Sequence, residues 1–136
     1  MSTVYKTTTD EFTLAFDQFQ QMIGILRGDE QMRLEHGQVE AWLHDEGMEL
    51  LRRLLQGHLD LRARREVRQV SVTGADGVER RQVRPDSQRR LMTRFGEVEV
   101  RRFGYGARGT SSLYPLDAGL NLLGEFLFRW SAPGGL

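Results

Sequence analysis

Near Leu61 the spacing of apolar residues changes, and this limits the chain's fold more than any other feature. Before that point apolar side chains recur every three or four residues; after it they tend to alternate. Such a switch excludes an all-helical bundle and an all-β sandwich, and calls for a helical part joined to a small sheet. Charge changes at the same place. Residues 1–60 hold 5 basic and 11 acidic side chains, and residues 61–136 hold 14 and 8. The neutral total of 19 Lys+Arg against 19 Asp+Glu therefore conceals one half at −6 and one at +6.

In the acidic half, Thr9 or Asp10 is suited to cap a first helix, with Asp10 and Glu11 at its positive end. Phe12, Ala15, Phe16, Phe19, Met22, Ile23 and Leu26 make its apolar stripe, and Arg27-Gly28-Asp29 stops it. A second helical segment covers residues 30–61, clearest at Leu43, Gly47, Leu50, Leu51, Leu54, Leu55, His58 and Leu61. At 1.5 Å per residue it would reach about 48 Å. It is expected either to break near Gly37 or Gly47 or to project and pair with something. Gly47 and Gly57 lie close to the stripe, where they either admit a close helix approach or simply lower helix propensity.

In the basic half, Val67, Val70 and Val72 suggest a strand, residues 73–77 (TGADG) a turn, and residues 78–84 the returning strand. Pro85-Asp86-Ser87 punctuates. A second hairpin joins residues 91–94 to residues 97–103 through Phe95-Gly96, with Val98 and Val100 on one face and Glu99 and Arg101 on the other. Residues 104–112 read as a Gly-rich linker. Asp117 then caps a last helix with Leu120, Leu122, Leu123, Phe126, Leu127 and Trp130. The expected fold class is α+β: an N-terminal helical hairpin, a small antiparallel sheet of three or four strands, and a short C-terminal helix. The expected organisation is a helical region at 1–62, an Arg-rich sheet at 63–104, and a linker with the last helix at 105–136.

Several chemistries have no residues to carry them. With no cysteine there is no disulfide framework, thiolate zinc site or cysteine nucleophile. No 18-residue apolar run is present and the first residues lack a signal-peptide pattern, so a soluble cytoplasmic protein without membrane contact is expected. His36, Glu40 and His44 share a helix face, but a fourth ligand is missing and no metal or other cofactor is expected. No G-x-S-x-G, P-loop or dinucleotide fingerprint occurs, and no catalytic residue is assigned.

The arginines carry the functional signal. They make up 18 of the 19 basic residues, and residues 61–108 reach a net of +7. The candidate phosphate contacts are Arg62, Arg64, Arg65, Arg80, Arg81, Arg89, Arg90, Arg101 and Arg102. Displayed on a small sheet or at hairpin ends, such forks neutralise nucleic-acid backbone. The competing reading pairs them with Glu66, Glu79, Glu97 and Glu99, leaving an ordinary charged surface. Phe103 and Tyr105 offer either stacking surfaces or core packing.

The stretch RRLMTRFGEVEVRRFGYGARGTSSLYPLDAGLNL (residues 89–122) resembles the N-terminal region of bacterial insertion-sequence transposases, distant kin of the mutator-like DDE enzymes. The resemblance takes in LLRRLLQGHLDLRARRE (50–66) and VTGADGV (72–78), and covers roughly residues 40–125. It implies a DNA-recognition and assembly module placed ahead of an RNase H-like catalytic domain. The DDE carboxylates and their two Mg²⁺ ions would belong to that downstream domain, and none of the carboxylates here corresponds to them. Some relatives carry a C-x-x-C pair where this chain has residues 105–109, YGARG, so no zinc knuckle is expected. The resemblance further implies a truncated remnant or a short regulator, non-catalytic, binding double-stranded DNA at transposon ends. A homo-oligomer is a further expected partner. The alternative is a protein-interaction or self-association module that binds no nucleic acid.

Overall fold

The computed structural model describes residues 10–122. Thr9 and the apolar run at Leu123, Phe126, Leu127 and Trp130 lie outside them. The elements are α1 (Thr13–Leu26), α2 (Asp29–Met32), α3 (His36–Arg65), β1 (Val72–Thr73), β2 (Glu79–Arg80), β3 (Gln82–Thr93), β4 (Gly96–Gly106) and α4 (Pro115–Gly119). The fold is α+β.

Asp10 organises the start of α1. The Phe12 N–H donates to Asp10 Oδ1 at 2.8 Å, and the Asp10 N–H donates to Thr13 Oγ1 at 2.8 Å, which satisfies two donors ahead of the helix. The chain turns at Arg27 and Gly28, forms α2, and re-enters helix through a capping box at Glu35 and Gln38. The expected segment 30–61 is thus interrupted at residues 33–35 and then continues to Arg65. That break falls just ahead of Gly37 and none occurs at Gly47: α3 is 30 residues long, about 45 Å. α1 packs antiparallel along it, with Gln18 Nε2 donating to the Glu46 carbonyl at 2.9 Å. Gly57 admits the residues that lead into α1, since a Cβ there would meet the Glu11 carbonyl oxygen at 2.6 Å and Phe12 Cδ1 at 2.8 Å. A Cβ at Gly47 would meet nothing within 4 Å.

The sheet differs from the expected three or four strands. There are two antiparallel pairs, a two-residue pair β1–β2 and a long ribbon β3–β4. Val67 and Val70 lie outside any strand and are exposed. Residues 82–84 pair with residues 104–106 of β4 rather than returning along residues 67–72. Pro85 and Asp86 do not end a strand. They form a bulge between Arg84↔Gly104 and Ser87↔Arg102, one of the few places a ladder tolerates proline. Gly104 and Gly106 belong to β4, not to a linker: Tyr114 and Ser87 press on Gly104, where a Cβ would meet Tyr114 Cε1 at 2.8 Å. Tyr105 pairs with Leu113 across the loop.

The core forms where α3 lies against the ribbon. Leu59, Leu91, Val98 and Val100 are buried together, and Leu55, Leu116, Leu120 and Leu122 pack on them. Val98 and Val100 do share the inward face. β3 covers one edge of β4, and α3 side chains serve much of the other. Gln56 Nε2 donates to the Glu99 carbonyl at 2.8 Å, and the Glu99 N–H donates to Gln56 Oε1 at 2.9 Å. Glu66 Oε1 accepts from the Phe103 N–H at 3.0 Å. A third strand is therefore replaced by helix side chains. Elements also cross the expected boundaries at 62 and 104, because α3 runs to Arg65 and β4 to Gly106.

Candidate nucleic-acid interface

The nine candidate arginines divide by burial. Arg80, 2% exposed, lies under the β1–β2 turn, where its guanidinium donates to both Asp76 oxygens at 3.1 and 2.8 Å. It donates also to the carbonyls of Val78 and Ser111, each at 2.9 Å. Gly77 (φ 77°) makes that turn, and the arginine hydrogen bonds hold the Asp76 carboxyl down at about 2. Arg102 projects from β4 in the same row as Val98 and Val100. It meets Asp117 through two bonds of 3.0 and 3.1 Å and lies 3.9 Å over the Tyr114 ring. Arg89, on β3, reaches the same Asp117 oxygen at 3.1 Å. Asp117 is 8% exposed. Contrary to the expectation that it caps the last helix, it occupies the third position of α4, with Tyr114 as N-cap, and is the counter-ion of two strand arginines.

The other six are at the surface. Arg81 pairs with Glu79 at 3.3 Å and Arg90 with Glu97 at 3.6 Å. Arg101 lies between Glu99 at 3.3 Å and Asp86 at 3.6 Å, and Arg64 pairs with Glu11. Exposed pairs of this kind contribute about 0–1 kcal/mol and exchange partners readily. Arg62 donates to His58 Nε2 at 2.9 Å. Arg65 has no carboxylate within ion-pair distance among the described residues, and the same holds for Arg68, an exposed arginine that pair-counting in the sequence passes over.

These last arginines sit together at the end of α3 and in the extended chain after it. Arg62, Arg64 and Arg65 occupy its last turn, where cations complement the carbonyl end of the helix dipole. From residue 61 to 75 the single acidic residue is Glu66. It is turned inward onto the Phe103 N–H, and burial pushes its carboxyl up. The charge on the outer surface of this segment is left to arginine, beside the exposed Val67 and Val70. Beside it, an open cleft of about 350 Å³ between α3 and β4 is lined by Gln56, Asp60, Ala63, Glu99 and Arg101.

Protein-family models, curated proteins and solved structures give no match to this chain. The assignment of function therefore rests on the residues themselves. Tyr105 is wholly buried, its hydroxyl accepting from the Gln69 N–H at 2.8 Å, so it holds the arginine-bearing segment to β4 rather than offering a stacking face. His36 and Glu40 approach to 3.1 Å on the exposed side of α3, while His44 turns to Asp45. Among the described residues no three His, Cys, Asp or Glu side chains are grouped to hold a metal, and no helix is long and apolar enough to cross a membrane. What sequence reasoning missed is the role of Asp117. The available signal was its position as the single acid between Glu99 and Glu125, in a stretch that also holds Arg101, Arg102 and Arg108.

Proposed function

We propose that this chain is a non-catalytic DNA-binding and assembly part of an insertion-sequence transposase, engaging duplex phosphates through the arginines at the end of α3. The observation that carries this reading is the run Arg62, Arg65 and Arg68, exposed and held outward while the intervening acid, Glu66, points into the protein. Arg64, Arg81, Arg90 and Arg101 extend the contact by exchanging weak surface carboxylates for phosphates. Arg80, Arg89 and Arg102 are engaged within the fold, so their part is to hold the sheet that presents the others.

Titration with duplex DNA at about 50 and about 200 mM salt tests this reading. Affinity should fall steeply across that interval. Arg62→Gln with Arg68→Gln should shallow the log–log salt slope by about 1 for each phosphate that is no longer neutralised. No affinity at the lower salt would refute it. A second reading, association with protein and no nucleic acid, is favoured by exposed Phe16, Phe19, Leu43 and Leu54 along α1 and α3.

A further inference from the structure

One face of α3 packs on the sheet through Leu55 and Leu59, and another packs on α1 at Gly57. The remaining face carries Leu43, Gly47, Leu50, Leu54 and Leu61. At about 100° per residue these fall within about 60° of one another. Leu43 and Leu54 are 39% and 41% exposed and Gly47, Leu50 and Leu61 are half-buried, so α1 and the ribbon cover the row only in part. α1 widens the surface. Phe12, Phe16 and Phe19 share a flank of that helix, and Phe12 lies over Gly57 beside the row, leaving Phe16 and Phe19 43% and 50% exposed.

Two properties identify the occupant. First, the row reads nearly the same in both directions about Arg52. Leu50 and Leu54 lie two residues either side of it, and Leu43 and Leu61 nine. Second, the helix is charge-polarised. Residues 36–50 hold Glu40, Asp45, Glu46 and Glu49 and no arginine, whereas residues 51–65 hold five arginines and one acid, Asp60. A helix related to this one by a two-fold axis at the level of Arg52 would set leucine against leucine and each acidic half against an arginine half. A parallel partner would oppose like charges.

We propose that this face binds a second copy of the same chain, α3 against α3 antiparallel, with Phe16 and Phe19 closing the sides. Glu40 then meets Arg65 of the second copy at either end. The last turns of the two helices stand about 30–39 Å apart along the pair, from 1.5 Å per residue. The inference deepens the second reading above and needs no nucleic acid. Its outcome is distinguishable from the DNA titration because sedimentation is run without DNA and Leu43 and Leu54 lie away from Arg62, Arg65 and Arg68.

Sedimentation equilibrium of the full chain should give a particle of twice the 15.7 kDa chain mass. Leu43→Glu with Leu54→Glu should yield a monomer of unchanged helical circular dichroism. The charge variants keep the test independent of those leucines. Glu40→Arg and Arg65→Glu should each weaken association about tenfold, and the two together should restore it, because opposite charges again face each other. A monomer at about 100 μM, an unaffected dimer in the leucine variant, or no recovery in the double charge variant would overturn the proposal.

Discussion

Around Asp117 the guanidinium groups of Arg89 and Arg102 are drawn into the fold and share a carboxylate, while at the end of α3 Arg65 and Arg68 face water with no described carboxylate at hand. The side chain is the same, and its surroundings decide its use. On the sheet, Arg102 takes a place in a row otherwise filled by Val98 and Val100, where an unpaired charge would be prohibitive and a bidentate partner is required. On the helix, arginine stems cost little in place, and their heads remain available for a partner from outside.

The sharpest way to break this contrast is to remove the shared counter-ion. Asp117→Asn should destabilise the protein by about 3–5 kcal/mol, because the buried Arg102 loses its bidentate charge partner inside the fold, read as a lower midpoint in urea. Next in size, Arg80→Met should abolish amide-exchange protection in the β1–β2 turn while leaving the α3 amides protected. Its contacts with Asp76, Val78 and Ser111 are local. Third, acid should separate the carboxylates. Asp76 and Glu49 are each held at about 2 by hydrogen bonds from arginine, so both stabilise the fold above their unfolded pKa near 4. That stabilisation is lost as pH falls from about 4 through about 2, and Asp76→Asn with Glu49→Gln should flatten the loss. Glu66 has the opposite sign. Its raised carboxyl weakens the fold as pH rises past about 4, so Glu66→Gln should remove that slope. Smallest of all, Arg62→Gln and Arg68→Gln should leave the urea midpoint almost unchanged, within about 0.5 kcal/mol each, although they alter DNA binding under the proposed function.

Period and punctuation make part of the fold legible in the sequence. The helix α1, the stop at Gly28, the TGADG turn and the inward pair Val98 and Val100 follow from local spacing, but the face that α1 buries does not: it is Ala15, Gln18 and Met22, with Phe16 and Phe19 of the expected stripe exposed. Pairing partners do not follow, because they depend on distant residues. Nothing near residues 82–84 tells that chain to leave residues 67–72 and join Gly104 and Gly106. Pro85 looks like an end because proline usually is one, and a bulge is the exception. The candidate arginines can be counted in sequence, but burial cannot be assigned to them. Asp117 lies 15 residues from Arg102 and 28 from Arg89, and their convergence is a product of the fold.

The two-way exchange between Gln56 and Glu99 has a mechanical consequence. An amide side chain there imitates a single residue of a neighbouring strand, which indexes α3 to the ribbon at one fixed register. Arg52, Gln56, Leu59 and Glu66 clamp the second half of the helix to the ribbon, while residues 36–50 continue roughly 20 Å at 1.5 Å per residue. Sliding α3 along the ribbon by a single residue would break both Gln56–Glu99 hydrogen bonds at once.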